Sequence, residues 1–205
     1  MSTVLETEGL ERRFGRLVAV DDVTVSIDDA DITSIIGPNG AGKTTFYNLL
    51  SGTLKPTDGA VRLRPRDSTD LVDVTDDEPH EIARRGLSRA YQINNVFEGL
   101  TVLDNVRVAR ISHDGRTSDL TSITTEDEEL TAKAREILEL TNLEEVAHTE
   151  CANLSHGDTR KVEIALALGT DPSIILLDEP TAGMNKSETD RMVELIRRLD
   201  EETDT

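Results

Sequence analysis

The stretch GPNGAGKTT, from Gly37 to Thr45, limits the fold of this chain more than any other. Gly37, Gly42, Lys43 and Thr44 satisfy the spacing G-x-x-x-x-G-K-S/T. Glycine is needed there because backbone N–H groups must curl around phosphate oxygens with no side chain in the way. The loop works only where a strand delivers the chain and a helix N-terminus, with its partial positive charge, receives it. Both flanks fit that demand. Upstream, VDDVTVSIDDADITSIIGPNG reads as two strands separated by a polar turn: Val23, Val25 and Ile27 alternate, and Ile32, Ile35 and Ile36 form an apolar run feeding into the loop. Downstream, KTTFYNLLSG reads as a helix with apolar positions Phe46, Leu49 and Leu50, closed by Gly52. A nucleoside triphosphate follows, with Lys43 reaching its β and γ phosphates and the Thr44 hydroxyl placed for magnesium.

The rest of the chain supplies the other elements of an α/β domain. After Pro56 a TDG turn precedes AVRLR and LVDVT, short alternating strands of the kind that build an antiparallel sheet. EPHEIARRG has Pro79 at a helix start and Gly86 at its end. From Leu100 to about Leu143 the pattern is mostly helical, broken by SHDGRTSDLTSITTEDEE, which reads as an exposed connection. IILLD, Ile174 to Asp178, is a continuous apolar run ending in a carboxylate, the pattern of a central parallel strand buried on both faces. Met192, Leu195, Ile196 and Leu199 fall at helical spacing in the final segment.

Asp178 and Glu179 end that apolar run, where one carboxylate can hold magnesium through water and the next can orient an attacking water. LSHGD, Leu154 to Asp158, precedes the apolar helix TRKVEIALAL. Ser155 with Asp158 is a capping-box pattern, and a helix N-terminus with Gly157 allowing close approach is also a second phosphate-binding surface. The 41 acidic residues against 22 basic ones give a net charge of -19, dispersed along the chain. Such a surface repels nucleic-acid phosphates and anionic lipid, so nucleic acid is not an expected partner. A solvated, halophilic-type coat suited to a salt-rich cytoplasm fits the dispersal better than a recruitment surface for a basic partner. Cys151 is the single cysteine, which fits a reducing compartment. No stretch approaches the roughly 20 apolar residues of a membrane span, so any membrane link must come through another protein.

In order and rough spacing these segments resemble the ATP-binding subunit of an ABC transporter. GPNGAGKTT matches Walker A, Gln92 in RAYQ the Q-loop, LSHGD the signature and IILLDEP Walker B, together covering nearly all 205 residues. Within that family GLTVLDNVRVA, LSHGDTRKVEIALAL and DEPTAGMNKSET are similar to the subunits that energise high-affinity branched-chain amino acid uptake. Urea and short-chain amide importers have closely related subunits and stay open as alternatives, as does a soluble, non-transport ABC ATPase. The resemblance implies an α/β P-loop NTPase fold with a RecA-like core, an antiparallel β lobe and a helical subdomain. The whole chain, 1–205, would be one ABC ATPase domain, with 1–92 and 158–205 as nucleotide-binding core plus β lobe and about 93–157 as helical subdomain.

The resemblance also implies roles. Phe14 in RRFG would stack on adenine, and Asn39, Gly40, Ala41, Gly42, Lys43, Thr44 and Thr45 would wrap the phosphates of ATP. Gln92 would join the Mg2+ and water shell and sense the transmembrane partner, Asp178 would hold Mg2+ through water, and Glu179 would be the general base. Ser155 and Gly157 would contact the γ-phosphate bound to a second ATP-binding subunit, a copy or a paralogue. Transmembrane permease subunits are the other implied partners, holding the chain on the cytoplasmic face of the membrane without direct insertion.

The chain departs from the family pattern in places. His156 and Asp158 replace the first paired glycine and the glutamine of LSGGQ, and Asn185 stands where aspartate is usual. Asp158 is expected to serve the helix cap. His80, His113, His148 and His156 all precede Asp178, so no switch histidine follows Walker B, and no strand follows the last helix. On this reading the C-terminal end of the cassette is missing, and ATP binding with impaired hydrolysis is expected.

Overall fold

β1 (Thr3–Phe14) and β2 (Leu17–Asp28) run antiparallel and are joined across Gly15 and Arg16. Gly15 supplies the positive φ of a two-residue hairpin turn. The computed structural model describes residues 2–29, 32–66, 68–90, 96–113 and 127–203. β3 (Asp58–Leu63) pairs with the other edge of β1, and β4 (Val72–Asp73) completes a sheet of order β2-β1-β3-β4, as AVRLR and LVDVT predict. Leu5, Leu10, Val61 and Leu63 are buried from it, and α1 (Lys43–Leu50) turns Phe46, Leu49 and Leu50 into the same core. α2 (Pro79–Arg84) adds Ile82; Pro79 opens it, and Glu78 and Glu81 form a reciprocal capping box. Each such apolar side chain contributes roughly 1.5–3 kcal/mol by leaving water.

The hairpin is irregular where the loop will meet it. Arg12 faces Val20 but Arg13 faces Val18, so Ala19 is the extra residue of a β-bulge on β2. The apolar run expected as a second strand departs from expectation: residues 32–38 form no regular element, Ile36 is 93% exposed, and Ile35 alone of the three isoleucines packs against the core. A strand needs a ladder partner as well as apolar side chains, and no described strand pairs with this segment.

The described residues divide into two compact units; one holds the chain to Ser88 with Pro172–Leu176, the other holds Arg89–Asp171 with Leu177–Glu202. Within the second, α3 (Val102–His113) packs against α4 (Glu128–Leu140) and α5 (His156–Gly169), burying Val106, Ala134, Leu138, Val162 and Ala165. α3 and α5 approach closely enough that a β-carbon at Gly169 would stand 2.8 Å from that of Ala109. α6 (Lys186–Glu202) buries Met192, Leu195 and Leu199. From it Arg198 donates to the carbonyls of Glu139 and Leu140, each at 2.6 Å, and to Asn142 at 3.0 Å, a cation on the C-terminal end of α4. Most of the expected polar connection, residues 114–126, lies outside the described residues.

β5 (Leu87–Ala90) pairs with β6 (Ile174–Leu177) in a separate two-stranded sheet. IILLD is therefore a strand, but not one buried on both faces: only Leu176 is buried, and β5 is its one neighbour among the described residues. An unbroken apolar run reports low polarity, and full burial also needs strands on both edges and covered faces.

Leu50→Ala should cost about 3 kcal/mol of unfolding free energy in a denaturant titration, since the side chain is fully buried in the first unit's core. A loss under about 1 kcal/mol would contradict that packing.

Candidate functional site

The glycine loop lies on the surface of the first unit, with Asn39, Gly40 and Ala41 exposed ahead of α1. Gly40 and Gly42 have φ of 83° and 86°, which turns the intervening N–H groups into an anion-binding concavity. Gly40 has open space around it, so its conformation alone demands glycine. Gly42 is held twice over: a β-carbon there would stand 2.1 Å from the Ala19 carbonyl oxygen, the bulged residue of β2. Gly42 caps α1 with no side-chain hydrogen bond, and the helix has no acidic residue in its first turn. Its N–H groups and dipole thus face outward with no internal anion to satisfy them. Lys43 Nζ donates to the carbonyls of Gly37 at 2.7 Å and Pro38 at 3.2 Å, which docks a compact cation across the loop. Thr44 is exposed and Thr45 half-buried on the next positions of that turn.

Phe14 ends β1 and is 44% exposed. It faces Leu17, two residues before Ala19 on β2, a separation of about 7 Å along a strand. The hairpin that packs against Gly42 through Ala19 thus carries an exposed aromatic ring at its tip.

In the second unit, β6 delivers Asp178 and Glu179 into different surroundings. Asp178 makes a 3.0 Å ion pair with Arg89, and the two side chains are only 9% and 6% exposed. Asp178 also lines a small cleft with Ala90, Leu177, Pro180 and α5's Arg160 and Glu163, the last two ion-paired at 2.8 Å. Glu179 is exposed with φ of 50°, a left-handed conformation costly for a side chain beyond glycine. The turn is held by an Ala182 N–H to Glu179 carbonyl bond of 3.0 Å. One carboxylate is thus fixed by a countercharge and the next projects into solvent.

Ser155 caps α5, accepting from Asp158 N at 3.1 Å, as the capping pattern predicts. Its hydroxyl donates to Asp158 Oδ2 at 2.8 Å, and Lys161 Nζ donates to Oδ1 at 3.0 Å. Burial works against the Asp158 charge, but the bonds from Ser155 and Lys161 outweigh it and hold the carboxyl below the usual aspartate range. Gly157 has no positive φ, and a β-carbon there would meet only the Ser155 hydroxyl, at an ordinary 3.9 Å, so the glycine leaves the capped helix end slim rather than relieving a clash. Asn185 and Glu188 form a reciprocal cap at the start of α6, at 2.9 Å and 3.1 Å. Gln92 lies outside the described residues.

Sequence reasoning missed three participants. Lys161 sits three residues after Asp158, a spacing that signals a helical ion pair. Arg89 and Ala19 left no local signal, since one is 89 residues from its partner and the other matters through a bulge.

A family model for ABC transporters matches residues 20–182. The high-affinity branched-chain amino acid transport ATP-binding protein BraF of Pseudomonas aeruginosa is 38% identical over 202 residues, covering 96% of this chain and 76% of that protein. LivG of Escherichia coli, with the same description, is 39% identical over 201 residues with the same shares covered. Among solved structures, an ATP-binding cassette of an ABC transporter superposes with a TM-score of 0.84 at 31% identity, covering 100% of this chain and 80% of that one. The ADP conformation of such a cassette gives a TM-score of 0.81 at 32% identity, covering 98% and 78%.

Two measurements check this geometry. Glu179→Gly should raise unfolding free energy by about 0.5–1 kcal/mol, because glycine relieves the left-handed strain and an exposed side chain leaves no cavity. Asp158→Asn should lower stability by roughly 0.5–1 kcal/mol near neutral pH. A depressed carboxyl stabilises the fold only while ionised, so the deficit should close as pH falls below the ordinary aspartate range. A deficit unchanged down to about pH 2 would rule out a charge effect.

Proposed function

This chain belongs to the ABC transporter family, and from that premise we propose that it is the ATP-binding, ATP-hydrolysing subunit that energises an importer of branched-chain amino acids. The observation that carries the reading is its likeness to BraF and LivG, which extends over 96% of the chain. Residues 1–205 belong in this reading to a single ABC ATPase domain.

In this reading the loop from Asn39 to Thr45, the N-terminus of α1 and Lys43 hold the triphosphate, while Phe14 stacks on adenine. No group of three or more metal-ligating side chains occurs among the described residues. In this reading the Thr44 hydroxyl and the Asp178 carboxylate, both hard oxygen donors, would hold the magnesium that accompanies the phosphates. When bound, Mg2+ neutralises charge developing between the β and γ phosphates. Glu179 accepts a proton from water as the water oxygen bonds to the γ-phosphorus and the bond to the bridging oxygen breaks, leaving ADP and phosphate. Gln92 completes the water shell. Ser155 and Gly157, at the N-terminus of α5, meet the γ-phosphate held by a second ATP-binding subunit.

Binding closes that dimer, hydrolysis opens it, and permease subunits carry the motion through the membrane. No helix among the described residues is long and apolar enough to cross a membrane; in this reading the permeases hold the chain on the inner face. The dispersed acidic surface suits a salt-rich cytoplasm.

Calorimetry with ATP in magnesium and molar KCl tests the engine. Lys43→Ala should weaken ATP binding at least about tenfold, whereas Glu179→Gln should bind normally and lose about 100-fold or more of turnover. Co-isolation with multi-spanning membrane proteins supports the importer; co-isolation with ribosomes or nucleic acid overturns it.

A further inference from the structure

We propose that Arg12 is a positioning residue for the nucleobase: its guanidinium backs one face of the Phe14 ring and ties that ring to the segment following α1. The proposal rests on Phe14 being the base platform. The Arg12 guanidinium carbon lies 4.7 Å from the Phe14 ring centroid. Residues two apart on a strand share a face, so the stack follows from the pleat of β1. Arg12 Nη1 also donates to the Lys55 carbonyl at 2.7 Å.

The segment that holds Arg12 is itself fixed at both ends. Thr57 N donates to the Glu11 carbonyl at 2.8 Å, and Arg13 N donates to Thr57 Oγ1 at 3.0 Å. Leu54 N donates to the Asn48 carbonyl at 2.9 Å, which joins the segment to α1. The connected path runs from the helix whose N-terminus faces the phosphates, through Lys55 and Arg12, to the ring. It fixes the distance between phosphate cradle and base platform without using the glycine loop. An exposed ring without this backing loses rotamer freedom each time a base stacks on it; the guanidinium removes that freedom beforehand. It lies over one face of a ring that stays 44% exposed, and the proposal puts the base on the other. The neighbouring Arg13 does not share the task, because Glu11 takes it in a two-bond ion pair at 2.5 and 2.6 Å.

The test compares calorimetric affinities for ATP and for inorganic tripolyphosphate, which lacks the base. Phe14→Ala should weaken ATP binding about tenfold and leave tripolyphosphate unchanged, as loss of one base–aromatic stack requires. Arg12→Gln should weaken ATP about three- to fivefold, leave tripolyphosphate within about twofold, and add nothing in a Phe14→Ala background. Arg13→Gln should change neither ligand. Arg12→Lys keeps the cation and can still reach the Lys55 carbonyl but lacks the flat fork, so it should show the same ATP-only loss if Arg12→Gln fails to fold. Should Phe14→Ala discriminate between the ligands while the Arg12 variants do not, or lose both ligands equally, the role of Arg12 falls alone. Equal affinities for Phe14→Ala and the parent chain would remove the base platform itself, and the proposal with it.

Discussion

A carbonyl oxygen decides where this chain can hold a phosphate. The Ala19 oxygen lies 2.1 Å from where a β-carbon at Gly42 would stand, so the residue that opens α1 can only be glycine. That contact exists because Ala19 is the bulged residue of β2, left over when Arg12 and Arg13 of β1 face Val20 and Val18. Bulges re-aim backbone and concentrate near functional sites. Here the displaced backbone packs against the glycine loop, so the register of a hairpin sets the placement of a phosphate cradle. The same hairpin ends in Phe14, and the short strand distance from Leu17 to Ala19 puts an exposed ring and the loop on one scale. The proposed base platform and phosphate cradle share a scaffold because both depend on one irregular ladder.

Much of this was legible because the signals are local. A glycine at fixed spacing before a lysine, a proline opening α2, a serine three residues before Asp158 and apolar residues at helical spacing in α1 and α6 each act within one turn. What stayed hidden depends on partners far away in sequence. Ile32, Ile35 and Ile36 have strand composition, yet no described strand offers them a ladder. Asp178 stands at the end of an apolar run as expected, but its ion pair to Arg89 joins residues on β5 and after β6 that no periodicity links. Removing one member of so buried a pair costs about 3–5 kcal/mol, so Asp178 has a structural duty that its sequence position does not announce.

The departures from the family's signature find local explanations in the same way. Asp158 would place an uncompensated carboxylate near a polyphosphate site if it stood alone. Ser155 and Lys161 engage both its oxygens, so the charge facing outward from α5 is reduced to that of an internal pair. Asn185 lacks the charge of aspartate, yet its amide oxygen accepts from Glu188 N as a helix cap, a task for which asparagine serves as well. Both residues conserve the hydrogen-bonding geometry of a helix start while changing its electrostatics.

Gly40, Gly42 and Glu179 all have positive φ, and they treat that cost differently. Gly40 and Gly42 avoid it by having no β-carbon. Glu179 keeps a side chain in the left-handed region, although it is exposed and glycine would sit there with less strain. Packing does not require a glutamate at an exposed turn, and neither does the hydrogen bond from Ala182, which uses the backbone alone. A strained conformation kept on a residue that the fold does not need is explained by what its carboxylate does outside the fold. In the proposed function that task, at the strand end next to Asp178, is the handling of water and a proton.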